Sequence, residues 1–238
     1  MSSMTRVVIA VGGSVLVPSL EAHRLKEWAE TLIRIHKAGI QVFAVVGGGG
    51  EARRYIGACR DIGLDEANSD EIGIMVTRIN AALLIGALKE YAYPRVAESY
   101  LQAKEFGVSG RIVVMGGVIP GQTTDAVSAA LAEETGSSVM INMTAVDGIY
   151  SADPKKDPNA KKFDTMTPQQ LIDLIMKERM NAGSNMVIDL VAAKVTERSG
   201  IPIAVIDGRN PKLLEDAVID GKFNGTIVGE TAVSFPLK

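Results

Sequence analysis

The sequence predicts an α/β fold, a three-layer αβα sandwich with a mainly parallel central sheet. Three observations carry that prediction. Apolar runs of strand length alternate with amphipathic helical segments along the 238 residues, the pattern of successive βαβ units. Apolar residues make up 47% and aromatics only 5%, with Val, Ile, Ala and Gly plentiful, as in parallel strands buried on both faces. Three of the runs end in glycine-rich loops, Gly12-Gly13-Ser14, Gly47-Gly-Gly-Gly50 and Gly116-Gly117. Parallel strands bring all three to one edge of the sheet, where such sheets bind their ligands.

Taken in order, Arg6–Val11 reads as a buried strand. Glu21–Ala38 spaces Leu25, Trp28, Leu32 and Ile35 as one face of a helix, and Gly39 stops it. Gln41–Val46 is a second strand and Glu51–Ile62 a helix. Ser69 is placed to cap a long helix to about Leu88, apolar on more than one side (Ile72, Ile74, Met75, Val76, Ile79, Leu83, Leu84). Such a helix belongs in the core or at a subunit interface, and the interface is the preferred reading. A short strand near Arg95–Ala97 and a helix from Ser99 lead to a strand at Arg111–Met115. The loop Met115–Ala126 then opens a helix to Glu134, with Thr123 or Thr124 as its N-cap. Ser138–Asn142 is a strand, and Asp147–Pro158 a Pro-punctuated excursion that is not helical. Helices at Pro168–Lys177, Asp189–Ser199 and Pro211–Ile219, the last with Asn210 as cap and Pro211 at its first position, alternate with strands at Pro202–Asp207 and Thr226–Val228. No internal repeat or low-complexity linker interrupts the series, so residues 1–238 read as one domain.

Composition narrows the function. A net charge of −3 without a basic block argues against nucleic acid as a partner. Cys59 is alone, which excludes a disulfide framework and a Cys-rich metal site. The first residues show no signal-peptide pattern, and Arg78 and Asn80 interrupt the longest apolar run. The expectation is a soluble, cytoplasmic protein with no membrane partner. His23 and His36 fall on the solvated face of the first helix, away from the glycine loops. With no Ser–His or Cys–His arrangement, covalent hydrolysis has no support.

The glycine loops, the second backed by Arg53 and Arg54 in the following helix, favour a phosphate-rich ligand. There is no G-x-x-x-x-G-K-[ST] run, so this is not a P-loop enzyme. Gly47-x-Gly49-x-x-Ala52 matches the loose dinucleotide fingerprint. That fingerprint needs an acidic residue ending the next strand, and no strand precedes Asp65 or Glu66, so a dehydrogenase is the lesser reading. Phosphoryl transfer asks for positioning and positive charge more than for a general base. This chain holds those parts.

On six stretches the chain resembles the archaeal-type UMP kinases of the amino acid kinase superfamily. They are Gly12-Gly-Ser14, Gly47-Gly-Gly-Gly-Glu-Ala-Arg53, Asp70-Glu-Ile-Gly-Ile-Met-Val-Thr-Arg78, Met115–Asp125, Val146-Asp-Gly-Ile-Tyr-Ser-Ala-Asp-Pro154 and Gly225-Thr226. The resemblance implies the amino acid kinase-like fold, with an acceptor half roughly over 1–137 and an ATP half roughly over 138–238. It implies ATP-dependent phosphorylation of UMP to UDP in pyrimidine nucleotide (UTP and CTP) biosynthesis, with Mg²⁺ on ATP and no metal ligand set of the protein's own. Gly12, Gly13 and Ser14 would line the ATP phosphates, with Gly49 and Arg53 at the transferring phosphates. Thr144, Tyr150 and Asp153 would form the adenosine pocket, although local turns alone would also explain Tyr150 and Asp153. Gly48, Asp70 and the loop Val118, Ile119, Pro120, Gly121, Gln122, Thr123 and Thr124 would hold UMP, Asp70 at the ribose and the two threonines near the phosphate. Asp189 matches an acidic family residue at a helix start, and a simple N-cap explains it equally well. Arg53 and Asp189 are the catalytic candidates. The family also suggests a homohexamer built as a trimer of dimers.

Two positions depart from the family. Ala10 stands where many members carry a lysine poised on the transferring phosphoryl group, and Ala145 is small where bacterial relatives carry a lysine. Lys155, Lys156, Lys161 and Lys162 are candidate substitutes, unless they form a solvated face. The rival readings are another acceptor on the same fold (a carboxylate, carbamate or isopentenyl phosphate) and a non-catalytic, nucleotide-dependent molybdate-storage subunit.

Overall fold

A computed structural model describes residues 4–19, 21–154, 156–180, 187–230 and 233–237. The chain enters through β1 (Arg6–Val11) and the single turn α1 (Gly13–Leu16), then α2 (Ala22–Lys37), β2 (Gln41–Val46), α3 (Gly49–Asp61) and α4 (Glu66–Leu88). A 3₁₀ turn leads to α5 (Tyr100–Gly107), β3 (Val113–Met115), α6 (Thr124–Thr135) and β4 (Val139–Thr144). Next come the hairpin β5 (Ile149–Tyr150) and β6 (Lys162–Phe163), then β7 (Thr165–Met166), α7 (Pro168–Met180), α8 (Leu190–Ser199), β8 (Ile203–Asp207), α9 (Lys212–Val218) and β9 (Gly225–Val228).

The main sheet runs β3-β2-β1-β4-β8-β9-β7. Its strands are parallel from β3 to β8, while β9 lies antiparallel to β8 and carries β7 with it. Strands β1, β2 and β4 are buried over almost every residue, as the continuous apolar runs require. One face packs on α2, α4 and α9 through Trp28, Leu32, Ile35, Leu84 and Leu214. The other packs on α5 to α8 through Phe106, Leu131, Leu171 and Ala192. This is the expected three-layer sandwich.

Several boundaries differ from the sequence expectation. The long helix begins at Glu66 and is capped by Asp65, whose side chain accepts from the Asn68 N–H at 2.8 Å. Ser69 is buried a turn inside, its hydroxyl donating to the Asp65 carbonyl. Residues near Arg95–Ala97 form only an isolated bridge, Ala97 to Met115. The last helix starts at Lys212, with Pro211 at its cap position, although the Asn210 side chain still accepts from the Lys212 N–H. His36 is not on the solvated face. Its ring packs edge-on to Tyr91, and Nδ1 is buried without a partner among the described residues.

Helix α4 with its 3₁₀ extension is long and apolar enough, by composition alone, to cross a membrane, despite Arg78 and Asn80. Here it is a core helix. Ile74, Val76, Ala81, Leu84 and Leu88 are buried, and Thr77 and Asn80 on the same side bind backbone. Met75, Ile79 and Leu83 form a stripe on the opposite side and are 54%, 60% and 41% exposed.

Candidate active site

Strands β1, β2 and β3 are adjacent and parallel, so their three glycine loops open on one sheet edge as expected. The first two are in backbone contact. A Cβ on Gly13 would lie 2.1 Å from the Gly49 nitrogen and 2.6 Å from the Gly47 oxygen, and Gly49 itself adopts φ +66°. A side chain has no room at Gly13, and at Gly49 the left-handed φ disfavours one while its Cβ would lie 2.7 Å from Gly13 O. The consequence is chemical: the turn Gly12-Gly13-Ser14 and the start of α3, with Gly48 and Gly49, form one continuous surface of small residues.

Helix α4 organises the second and third glycine loops. The Asn80 amide donates to the carbonyls of Gly47 at 3.0 Å and Gly48 at 3.3 Å. The Thr77 hydroxyl accepts from the Gly117 N–H at 2.7 Å. Asp70 Oδ2 accepts from the Gly121 N–H at 2.8 Å, which brings it to the loop Val118–Thr124. Asp70, Thr77 and Asn80 thus fix the second and third glycine loops from a single helix. Thr77 and Asn80 escaped the sequence reading. Their partners lie 30 to 40 residues away, and a polar residue inside an apolar helix gives no local hint of its target.

Thr123, not Thr124, is the N-cap of α6, accepting from the Ala126 N–H at 3.1 Å. Asp189 caps α8 by accepting from the Ala192 N–H at 2.9 Å, and its other oxygen accepts from the Thr123 hydroxyl. Two helix starts therefore meet at the end of the loop Val118–Thr124, and Asp189 is a helix cap that also binds Thr123. Asp125 joins them. It is enclosed by protein on nearly every side yet keeps some accessible surface. Burial, reinforced by the negative charge of Asp189, raises its carboxyl from 3.8 to about 7. The Thr-Thr-Asp run contained it, but its protonation depends on an aspartate 64 positions further on.

The sign of this effect follows from linkage. Between about 4 and about 7 the unfolded chain has ionised Asp125 while the folded one has not, so its contribution to stability declines with rising pH across that window. Above about 7 the ionised pair opposes further negative charge at the site. We expect the KM of the acceptor anion to rise above pH 7 more steeply in the native protein than in Asp125→Asn. Comparing the two profiles cancels the acceptor's own titration, and superimposable profiles would exclude the effect.

On the other side of the site, Thr144 ends β4 beside Asp207 of β8, and its carbonyl accepts from the Gly208 N–H. The Tyr150 hydroxyl donates to Asp147 Oδ1 at 2.9 Å, an interaction that raises the Tyr150 pKa. Burial pushes the Asp147 carboxyl up, but Tyr150 and Lys162 outweigh it and hold the group below its ordinary value. Asp153 is exposed at the far turn of the excursion, where its carbonyl accepts from the Lys156 and Asp157 N–H groups. Among the lysine candidates, Lys162 is tethered, donating to the Asp147 carbonyl and, at 2.9 Å, to Asn224. Lys156 and Lys161 are exposed, and Lys155 lies outside the described residues. Arg54 pairs with Glu51, whereas Arg53, exposed one turn into α3, has no ion-pair partner among the described residues.

Glycine turns in backbone contact, an unpaired arginine beside them and a parallel sheet edge define a phosphotransferase architecture. The model of the amino acid kinase family matches residues 5–207, and the chain belongs to that family. Within it, the chain is 77% identical to a uridylate kinase of Methanocorpusculum labreanum, over 98% of this chain and 100% of the relative. It is 56% identical to a uridylate kinase of Methanoculleus marisnigri, over 95% and 97%. Among solved structures, the uridylate kinase of Archaeoglobus fulgidus matches with a TM-score of 0.83 and 46% identity, covering 94% of this chain and 99% of that one. The UMP kinase of Bacillus anthracis matches with a TM-score of 0.81 and 25% identity, covering 96% and 97%.

Proposed function

We infer that this protein is a UMP kinase, transferring the γ-phosphoryl group of ATP to UMP to give UDP and ADP. Similarity to uridylate kinases over nearly the whole chain supports the acceptor. The structural observation that carries the reading is the contact of Gly13 with Gly47 and Gly49, because in-line transfer needs donor and acceptor phosphates side by side. Neither a different acceptor on this fold nor a molybdate-storage role draws support from those relatives.

In this reading Gly12, Gly13, Ser14, Gly49 and Arg53 hold the ATP phosphates, and Thr144, Tyr150 and Asp153 the adenosine. Gly48, Asp70 and Val118–Thr124 hold UMP, with Thr123 and Thr124 at its phosphate. An oxygen of the UMP phosphate attacks the γ-phosphorus while the bond to the β,γ-bridging oxygen breaks, and the electron pair leaves with ADP. Backbone N–H groups and Arg53 meet the charge on the equatorial oxygens. The described residues contain no cluster of three or more acidic, His or Cys side chains suited to a metal. Mg²⁺ would then be carried mainly on the substrate phosphates, with Asp189 and Asp125, which lie together at the starts of α8 and α6, as the carboxylates available to it. When bound, Mg²⁺ would neutralise phosphate charge.

The two halves, roughly 1–137 and 138–238, act as one domain in this proposal, since β1 and β4 pair across the division. A cytoplasmic place in pyrimidine nucleotide supply follows from the activity. The exposed stripe Met75, Ile79 and Leu83 favours a homo-oligomer, a hexamer built as a trimer of dimers by family likeness. Light scattering should find more than one chain per particle, and Ile79→Lys should lower the mass.

Incubation with Mg-ATP and a panel of acceptors tests the activity. UDP should form from UMP, and no UDP would overturn the reading. Asp70→Asn keeps an acceptor for the Gly121 N–H but loses charge-assisted bonds to the ribose hydroxyls, about 1.5–3 kcal/mol. The KM for UMP should rise by about ten- to a hundredfold, with the KM for ATP within about twofold. An equal effect on both would refute the ribose role.

A further inference from the structure

We propose that Arg24 is a positioning residue for the donor site, tying the turn Gly12–Ser14 to the loop after β8. The inference rests on the reading of that turn as the cradle of the ATP phosphates.

Helix α1 is a single turn of four residues. Val15 and Leu16 both donate to the Gly12 carbonyl, and Val17 donates to that of Gly13. The N–H groups of Gly13 and Ser14 precede the first of these bonds, so the helix itself gives them no acceptor. The Val15 carbonyl lies beyond the last of them and needs a partner from elsewhere. Arg24 Nε supplies it at 2.9 Å, helped by Trp28 Nε1 at 3.3 Å. Nη2 of the same guanidinium donates to the carbonyls of Gly208 at 2.9 Å and Arg209 at 2.6 Å. One fork therefore holds three carbonyls from two segments, and Gly208 lies 184 positions from Arg24 itself. The Arg24 side chain is only 14% exposed, with Glu27 on Nη1 at its outer end.

The loop it grips is packed against the turn. A Cβ on Gly208 would lie 2.9 Å from both the Met143 carbonyl carbon and Val15 Cγ2. The Gly12 N–H donates to Met143 O, and the Gly208 N–H to Thr144 O. The turn, the end of β4 and the loop after β8 thus close into one hydrogen-bonded circuit, and Arg24 is its side-chain clasp. Ala10 raises the importance of this clasp. Without a lysine at that position, the direction of the turn's N–H groups carries more of the phosphate recognition. A lysine at position 24 would offer one ammonium and could not reproduce the planar fork.

The test uses the full chain with Arg24→Gln and Arg24→Lys, both assayed by steady-state kinetics, thermal unfolding and hydrogen exchange of the peptide spanning Gly12–Leu16. In Arg24→Gln the KM for ATP should rise at least tenfold and kcat fall at least fivefold, with the KM for UMP within twofold. Arg24→Lys should recover only part of the loss. A lower melting temperature with both KM values unchanged, or both KM values rising together, would overturn the positioning role. The native protein is the control, with a non-hydrolysable ATP analogue. No protection of the Gly12–Leu16 peptide would remove the donor-site reading and this proposal with it. Protection in the native chain and equally in both variants would remove only the role of Arg24.

Discussion

Gly13→Ala should lower kcat/KM by at least about a hundredfold. The added methyl would sit 2.1 Å from a backbone nitrogen and 2.6 Å from a backbone oxygen, and neither can turn aside as a flexible side chain would. The turns Gly12–Ser14 and Gly47–Gly49 would have to separate. Overpacking of this kind costs about 1–3 kcal/mol, and a displacement of about 1 Å between reacting groups costs about a hundredfold in rate. The control is Gly57→Ala in the middle of α3, where a Cβ meets nothing within 4 Å. There the gain in helix propensity, about 1 kcal/mol, should raise the melting temperature and leave activity intact. If Gly13→Ala keeps most of its activity, the two turns do not form one phosphate surface.

Arg53→Ala should lower kcat by about a hundredfold while changing either KM by less than about threefold. Arg53 is exposed beside Gly49 and has no ion-pair partner among the described residues, so its charge is not spent within the fold. Its neighbour Arg54 is paired with Glu51 at 3.0 Å, and Arg54→Ala should have little effect. A cation meeting charge that develops only in the transition state acts on kcat, whereas one that merely binds acts on KM. A rise in KM with kcat unchanged would make Arg53 a binding residue. Ala10 supplies no cation and Lys162 is held by Asp147 and Asn224, so in the proposed reading Arg53 is the residue expected to supply that charge.

Much of the fold was legible because its signals are local. Strands β1, β2 and β4 are continuous apolar runs, and α2 shows its buried face as Trp28, Leu32 and Ile35 at helical spacing. The strands β5, β6 and β7, two residues each, have no room for a period and went unread. The reversal of β9 against β8 also left no mark in the residues. Asp65 displaced Ser69 as the helix cap because both are good caps, and the choice fell to the one whose side chain faces a free N–H.

The sequence by itself determined the layered fold, the three glycine loops on one edge and the motifs that nominate the site residues, since all depend on spacing along the chain. Tertiary structure alone decided which of these touch. It set Gly13 against Gly49, tied Asp70, Thr77 and Asn80 to loops far away in sequence, and joined Thr123 to Asp189. It also raised the Asp125 pKa and gave Arg24 its three carbonyls. These are contacts at van der Waals or hydrogen-bond distance between distant segments, and their energies depend on orientation and desolvation, which no local pattern of residues encodes.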